Sequence, residues 1–391
     1  MYNILTLNAI SEKGLAKLPP DLFAISDKTE NPDGIIVRSA EMHEYEAPGS
    51  LLAVARAGAG TNNIPIDKFS ENGIVVFNTP GANANAVKEL VLTAILISSR
   101  KIVEGIEWSN SLKGKENIDK LVESGKKQFA GPEIKGKKLG VIGLGAIGVL
   151  VANAAVALGM EVIGYDPFLS VYSAWSISSE VELADSIASI VTQCDYITVH
   201  VPLNADTKNM FNDELFGMMK KGTRLLNFSR GGLVETAALK KALADGVVDK
   251  YITDFPSEEV LNLDNVLAIP HLGASTPESE ENCAEMAAIE IKAFLKYGTI
   301  KNSVNFPNCE ALYTGKARIT IAHQNIPNMV GSMTAIFAKE NLNIDNMINK
   351  SKGEWAYTII DLDSLCGKND TILAELRALP GVKKARIVRE Q

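Results

Sequence analysis

Apolar and polar positions follow two rhythms along this chain. In the first hundred residues, β-rich apolar runs at YNILTL, GIIVRS, LLAVARAG and GIVVFN are separated by helical or turn-forming text, the pattern of an open α/β sheet. From Val87 to about Trp108 the rhythm becomes helical, with no Gly or Pro before Gly105, and this predicts one long helix leading out of that first domain. A polar, Lys-rich stretch, SLKGKENIDKLVESGKKQ, reads as an exposed excursion. Then LGVIGLG, EVIGYD, DYITVHV, TRLLNF, KYITDF and VLAIP arrive in order, with helix-like text between most of them, so about six parallel strands are expected. After Pro277 the text ESEENCAEMAAIEIKAFLKYG predicts one helix ended by Gly298 and returning to the first domain. KNSVNFPNCEALYTGK mixes Pro, Asn and Gly without period and reads as a linker. The remaining text gives strand, helix, two strands, helix and strand, the βαββαβ order of a ferredoxin-like unit.

The fold class expected is therefore α/β: two doubly wound domains, one flavodoxin-like and one Rossmann, plus a ferredoxin-like βαββαβ domain. Boundaries fall at 1–93 with 272–298 for the first domain, 94–271 for the second, 299–316 for the linker and 317–391 for the last. A length of 391 residues suits two or three such cores.

Charge narrows the partners. Acidic residues outnumber basic ones 47 to 39, a net charge of −8, which argues against a broad nucleic-acid surface. An anionic ligand must then meet a local cationic cluster. The start MYNILTLNAI lacks the basic flank and long apolar run of a signal peptide, and no apolar stretch is long enough to span a bilayer, so a cytoplasmic protein without membrane partners is expected. Cys194, Cys283, Cys309 and Cys366 are scattered without ligand spacing, and neither a metal site nor a disulfide framework is expected.

The chemistry begins at GLGAIG, where Gly143, Gly145 and Gly148 follow the strand KKLGVI and precede a helical run. Glycines there permit a tight turn and close approach of backbone N–H groups to a pyrophosphate, whose charge the helix N-terminus favours. Asp166 ends the next strand, 18 residues beyond Gly148, where a carboxylate accepts from the adenosine ribose hydroxyls and repels a ribose phosphate. The cofactor indicated is NAD rather than NADP. Further along, Arg230, Asp254, Glu259 and His271 fall at or just beyond the C-terminal ends of later strands, where open α/β sheets bind ligands.

With GLGAIG, the segments HVPLNADT (200–207), NFSRGG (227–232), DFPSEE (254–259) and PHLGAST (270–276) resemble the D-2-hydroxyacid dehydrogenase family in order and spacing. The likeness covers nearly the whole chain. VRS (37–39), RAGAG (56–60) and NTPGAN (78–83) narrow it to the branch that acts on phosphoglycerate, at the entry to serine biosynthesis. The resemblance implies that His271 takes the hydroxyl proton, Glu259 orients its ring and Arg230 holds the substrate carboxylate and developing carbonyl oxygen. It further implies that Asp254 binds the nicotinamide carboxamide, and that the backbone of Ala146, Ile147, Phe228, Ser229 and Ala274 faces the cofactor. His200 is expected as a structural neighbour of that site, and His43 as an exposed loop residue.

For a phosphorylated substrate, Arg38 with Ser39 matches the family's substrate loop, Arg56 opens RAGAG, and Lys126 resembles a basic position that reaches across from a neighbouring subunit. Glu41 departs from the family, which more often has Lys or Thr there. Residues 317–391 resemble an ACT domain, with His323 and Asn325 matching positions that contact L-serine and Asn343 a third across the interface of a homodimer or homotetramer. Asn328 replaces a customary glycine. Two other functions share much of this pattern: a glyoxylate or hydroxypyruvate reductase, which would not need Arg38 and Lys126, and an NAD-sensing corepressor, against which the complete Arg/Glu/His set weighs.

Overall fold

The computed structural model describes residues 1–312 and 317–389; the last four positions of the expected linker and the final two of the C-terminal unit lie outside them. The chain divides into two compact units, Met1–Asn83 with Pro277–Gln391, and Ala84–Thr276.

In the first unit a five-stranded sheet comprises β1 (Tyr2–Leu7), β2 (Phe23–Ser26), β3 (Gly34–Val37), β4 (Ala53–Arg56) and β5 (Val75–Phe77). The strand order β2-β1-β3-β4-β5 is the flavodoxin-like winding, with each ladder parallel. β3 and β5 are buried throughout and read as unbroken apolar runs, as strands covered on both faces must. The predicted helix after Pro277 is present as Pro277–Tyr297, its C-terminal Gly298 at φ 72°, and it packs on β4 of this sheet.

The same unit carries a four-stranded antiparallel sheet of β13 (Ala317–Gln324), β14 (Ile344–Lys352), β15 (Trp355–Leu362) and β16 (Val382–Arg389), in the order β14-β15-β13-β16. This is the ferredoxin-like order expected from the sequence. One face packs on its own helices through Ile319, Ile321, Met333, Phe337, Ile372 and Leu376. The other face contributes Ala322, Tyr357 and Ile359 to the cluster that contains Phe294, Ile300 and Phe306. The text read as a linker is therefore packed as far as it is described. Ile300 and Cys309 exchange backbone hydrogen bonds of 2.9 Å. Asn305 accepts from Val76 N at 2.9 Å and donates to Ile74 O at 2.9 Å, so its side chain continues the edge of the first sheet.

In the second unit seven parallel strands form one sheet: β6 (Lys138–Ile142), β7 (Glu161–Tyr165), β8 (Glu182–Leu183), β9 (Tyr196–Val199), β10 (Thr223–Asn227), β11 (Val248–Thr253) and β12 (Val266–Ala268). Their order, β12-β11-β10-β9-β6-β7-β8, is the Rossmann winding with one added strand. The predicted long helix is two helices, Ala84–Arg100 and Ile102–Ser111, broken at Lys101 with φ 44°. Just before the break the hydroxyls of Ser98 and Ser99 both donate to Ile95 O, the back-bonding that bends helices. Among the described residues no helix is long and apolar enough to cross a membrane.

Candidate active site

The GLGAIG turn joins β6 to the helix Ala146–Ala157, and close packing fixes its residue types. Gly148 lies so near the turn that a Cβ would stand 1.9 Å from Gly143 O, while Gly143 adopts φ 93°. At Gly145, by contrast, a Cβ would meet nothing within 4 Å. That open space lies at the start of the helix, where Ala146 and Ile147 begin a turn whose N–H groups lack intrahelical acceptors. Asp166, one residue past β7, accepts from Leu144 N at 2.9 Å and from Phe168 N at 2.8 Å, which ties the strand end to the turn. These features fit a dinucleotide pyrophosphate.

At the next strand ends the polar groups are underused. Asn227 closes the turn after β10: its amide donates to Arg230 O at 2.9 Å and to the Tyr251 hydroxyl at 3.2 Å, and its oxygen accepts from Ser229 N at 3.2 Å. The Ser229 hydroxyl donates to Val199 O at 2.7 Å and Phe228 is buried, so the backbone of this segment is held; Arg230 is exposed, and its Nη1 donates to Ser229 O at 2.6 Å. Asp254, immediately after β11, is 1 % exposed; one oxygen accepts from Gly273 N at 3.3 Å and the other has no partner. Burial raises its carboxyl above the usual range, opposed by the charges of His271 and Arg230 and by the Gly273 N–H. A buried carboxylate oxygen left over in this way fits an incoming amide donor.

His271 is exposed, with its ring 4.7 Å from that of Phe255. Glu259 lies in the first turn of the short helix Glu258–Leu261 and lines a cavity of about 410 Å³ with Gly231, Gly232 and Phe255. No hydrogen bond joins Glu259 to His271 in this structure. His200 follows β9; burial pushes its imidazole down to about 4, and its Nδ1 is buried without a partner. Ala274 is half-buried beside Gly273.

Arg38, Ser39 and Arg56 belong to the first unit, at the C-terminal ends of β3 and β4. Arg56 Nε donates to Arg38 O at 3.1 Å, Arg38 Nη2 donates to Glu280 Oε1 at 2.6 Å, and Ser39 N donates to Asn8 Oδ1 at 3.0 Å. Glu41 turns toward its own loop, accepting from the His43 ring and from Met42 N, and the His43 contact lowers its carboxyl below the usual range. Lys126 is exposed and pairs with Glu123 one turn earlier. Asn227, Glu280 and Asn8 escaped the sequence reading; only Asn227 carried a signal, as the residue opening NFSRGG.

In the C-terminal sheet His323 is 1 % exposed and both ring nitrogens are engaged, Nδ1 with Gln324 O at 2.7 Å and Nε2 with Thr358 Oγ1 at 2.9 Å. Contact between its ring and a ligand would have to displace one of these bonds. Asn325 donates to Gly353 O at 3.1 Å, and Asn343 to Asp363 Oδ2 at 2.7 Å. Because His323 pairs with Ala356 whereas Ile344 pairs with Leu362, Asn325 and Asn343 lie at opposite ends of the sheet. Asn328 adopts φ 66°, so it keeps the backbone that a glycine would supply; Asn is among the few other residues that tolerate it.

The description "D-isomer specific 2-hydroxyacid dehydrogenase, NAD binding domain" matches residues 92–273. D-3-phosphoglycerate dehydrogenase of Methanocaldococcus jannaschii is 36% identical over 75% of this chain, which spans 55% of that relative. The Escherichia coli K12 protein of the same name is 30% identical over 88% of this chain and 82% of its own length. An NAD+-bound 3-phosphoglycerate dehydrogenase from Entamoeba histolytica matches in structure with a TM-score of 0.59 and 27% identity, covering 77% of this chain and 98% of that one. D-mandelate dehydrogenase of Rhodotorula graminis shares the fold, with a TM-score of 0.65 at 22% identity over 80% of this chain and 98% of its own. From the glycine turn, the strand-end side chains and these relatives together, the chain belongs to the D-isomer specific 2-hydroxyacid dehydrogenase family and is an NAD-dependent dehydrogenase.

Proposed function

We propose that the chain oxidises D-3-phosphoglycerate to 3-phosphohydroxypyruvate, the first step of serine biosynthesis, as a homodimer or homotetramer in the cytoplasm. The observation that carries the reaction type is the strand-end group of the second unit, in which buried Asp254 keeps a spare oxygen beside the charges of His271 and Arg230. The substrate is supported by the activity named for the relatives and by the Arg38 loop.

NAD, when bound, supplies the hydride acceptor. This chain's own residues do the rest. The planar fork of Arg230 holds the substrate carboxylate and the oxygen that becomes a carbonyl. Asp254 accepts from the carboxamide and so selects a ring face, while Asp166 accepts from the ribose hydroxyls once its present N–H partners share it. His271 takes the hydroxyl proton as general base. Glu259 orients that ring and stabilises the imidazolium, a contact that forms on binding, as catalytic hydrogen bonds commonly do. Arg38, Ser39 and Arg56 bind the anionic groups, and Lys126 reaches the phosphate of a neighbouring subunit's substrate after leaving Glu123. In steady-state assays, Arg38→Ala raises KM for 3-phosphoglycerate roughly tenfold or more, as loss of a charged hydrogen bond should, and raises KM for an unphosphorylated 2-hydroxyacid far less. Equal effects on both would remove the phosphate assignment.

The same reading makes the C-terminal unit an ACT domain that responds to L-serine. It is supported by the ferredoxin-like order and by the exposed amides of Asn325 and Asn343; an amino acid touching both would lie between two copies of the chain. A calorimetric titration with L-serine that shows no heat of binding would defeat it.

A further inference from the structure

The helix Pro277–Tyr297 is gripped at both ends by side chains of its own unit. Its last carbonyls lack intrahelical donors and favour cations. They are met from the C-terminal sheet and β1: Arg386 Nη1 donates to Leu295 O at 3.1 Å, Arg318 Nη1 to Tyr297 O at 3.0 Å, the Tyr357 hydroxyl to Gly298 O at 2.9 Å and the Tyr2 hydroxyl to Leu295 O at 2.8 Å. Its first turns carry acids that meet cations of the first domain, Glu281 with Lys13 at 2.6 Å and Glu285 with Lys17 at 3.2 Å. Glu280, just before them, accepts from Arg38 Nη2 at 2.6 Å.

The Arg38 contact differs from its neighbours in what it leaves free. A guanidinium presents five N–H donors in a fixed fork, and Glu280 engages one edge only. The backbone under Arg38 is fixed as well: Arg38 O accepts from Arg56 Nε, and Asn8 Oδ1 accepts from both Ser39 N and Ala40 N. An unrestrained arginine loses about 2 kcal/mol of rotamer entropy when a ligand orders it. With backbone and one edge held, much of that loss is already taken before an anion arrives.

We infer that Glu280 is a positioning residue: it orients Arg38 so that the free edge of the guanidinium meets the anionic end of the substrate, on a helix whose far end is locked to the C-terminal sheet. The inference rests on the reading of Arg38 as a substrate ligand. A merely structural ion pair of this exposure would shift stability and leave the kinetics alone.

The test compares Glu280→Ala, Glu280→Gln and Glu281→Ala in the full-length protein, each with KM and kcat for 3-phosphoglycerate and a thermal melt, beside Arg38→Ala. Expected is a rise in KM of about three- to fivefold for Glu280→Ala with kcat unchanged, the worth of one half-exposed charged contact. Glu280→Gln, whose amide oxygen still accepts from Nη2, stays at or below the wild-type KM. Glu281→Ala, which breaks the neighbouring pair with Lys13, moves the melt but not KM. An unchanged KM in Glu280→Ala while Arg38→Ala raises it overturns the positioning role alone. An unchanged KM in Arg38→Ala overturns the substrate reading and the inference with it.

Discussion

The strand ends of the second unit and the C-terminal sheet both bury polar side chains, but they leave them in opposite conditions. In the sheet, Arg318 is fully buried, yet its guanidinium donates to both oxygens of Asp361, at 2.6 and 2.8 Å, and to Tyr297 O, Ala311 O and Leu312 O. His323 likewise has both nitrogens engaged. At the strand ends, Asp254 keeps a buried oxygen unpaired, His200 a buried nitrogen, and the glycine turn opens onto empty space. Saturated polar groups specify a structure; unsaturated ones await a ligand.

The sharpest way to break this contrast is at His271. If it is the group that receives the hydroxyl proton, His271→Ala retains NADH binding, read by fluorescence titration, while kcat falls by roughly two to four orders of magnitude. Turnover close to wild type would place it among the bystanders. In the sheet the expected effect falls on folding instead. Arg318→Met strands Asp361 as a buried lone charge and lowers unfolding free energy by about 3–5 kcal/mol in denaturant melts, whereas Arg318→Met with Asp361→Leu recovers most of the loss. A double variant no better than the single one would show that the carbonyl contacts, not the charge pair, carry the stability.

The smallest effect concerns an exception. Glu290, in the middle of the helix Pro277–Tyr297, is 6 % exposed; one oxygen accepts from Asn302 and the other has no partner. Burial pushes its carboxyl up to about 8, against an ordinary 4.5. Between those values the folded state binds a proton that the unfolded chain has released, so stability is greatest at the acid end and declines as pH rises, by about 1 kcal/mol per unit, levelling off above 8. Glu290→Gln should lack that slope, so that the difference between wild-type and variant melts varies with pH, and should be the more stable protein at pH 8 to 9. Parallel pH profiles would show that Glu290 is charged and solvated after all.

How much of this was legible depended on whether a residue's role is set by its neighbours in sequence or in space. Strands buried on both faces announced themselves as apolar runs, but β2 was missed because this edge strand buries only Phe23, and β8 because it is two exposed residues. The helix break at Lys101 was hidden by a sequence whose only kinking residues, Ser98 and Ser99, act through their hydroxyls. Segment 299–312 carried no period because its order comes from asparagine side chains pairing with backbone, as Asn305 does with Val76 and Ile74. Arg230, Asp254 and His271 were read together as a candidate site because strand-end motifs are local text. Glu280 was not, since nothing near it in the sequence mentions Arg38, and His323 was read as a ligand contact because its burial comes from pairing with β15 and β16.

The second face of the C-terminal sheet has a practical consequence for dissection of the protein. A chain stopped before Ala317 would not simply lose an appended unit. It would uncover Phe294, Ile300, Phe306 and Cys309, all now at most 3 % exposed, and strip the last turn of the helix Pro277–Tyr297 of its cationic donors. Such a truncation would present a contiguous apolar patch of the kind that drives self-association. Questions about what the C-terminal unit does therefore belong to point substitutions at its exposed amides, because excision changes the first domain and the C-terminal unit together.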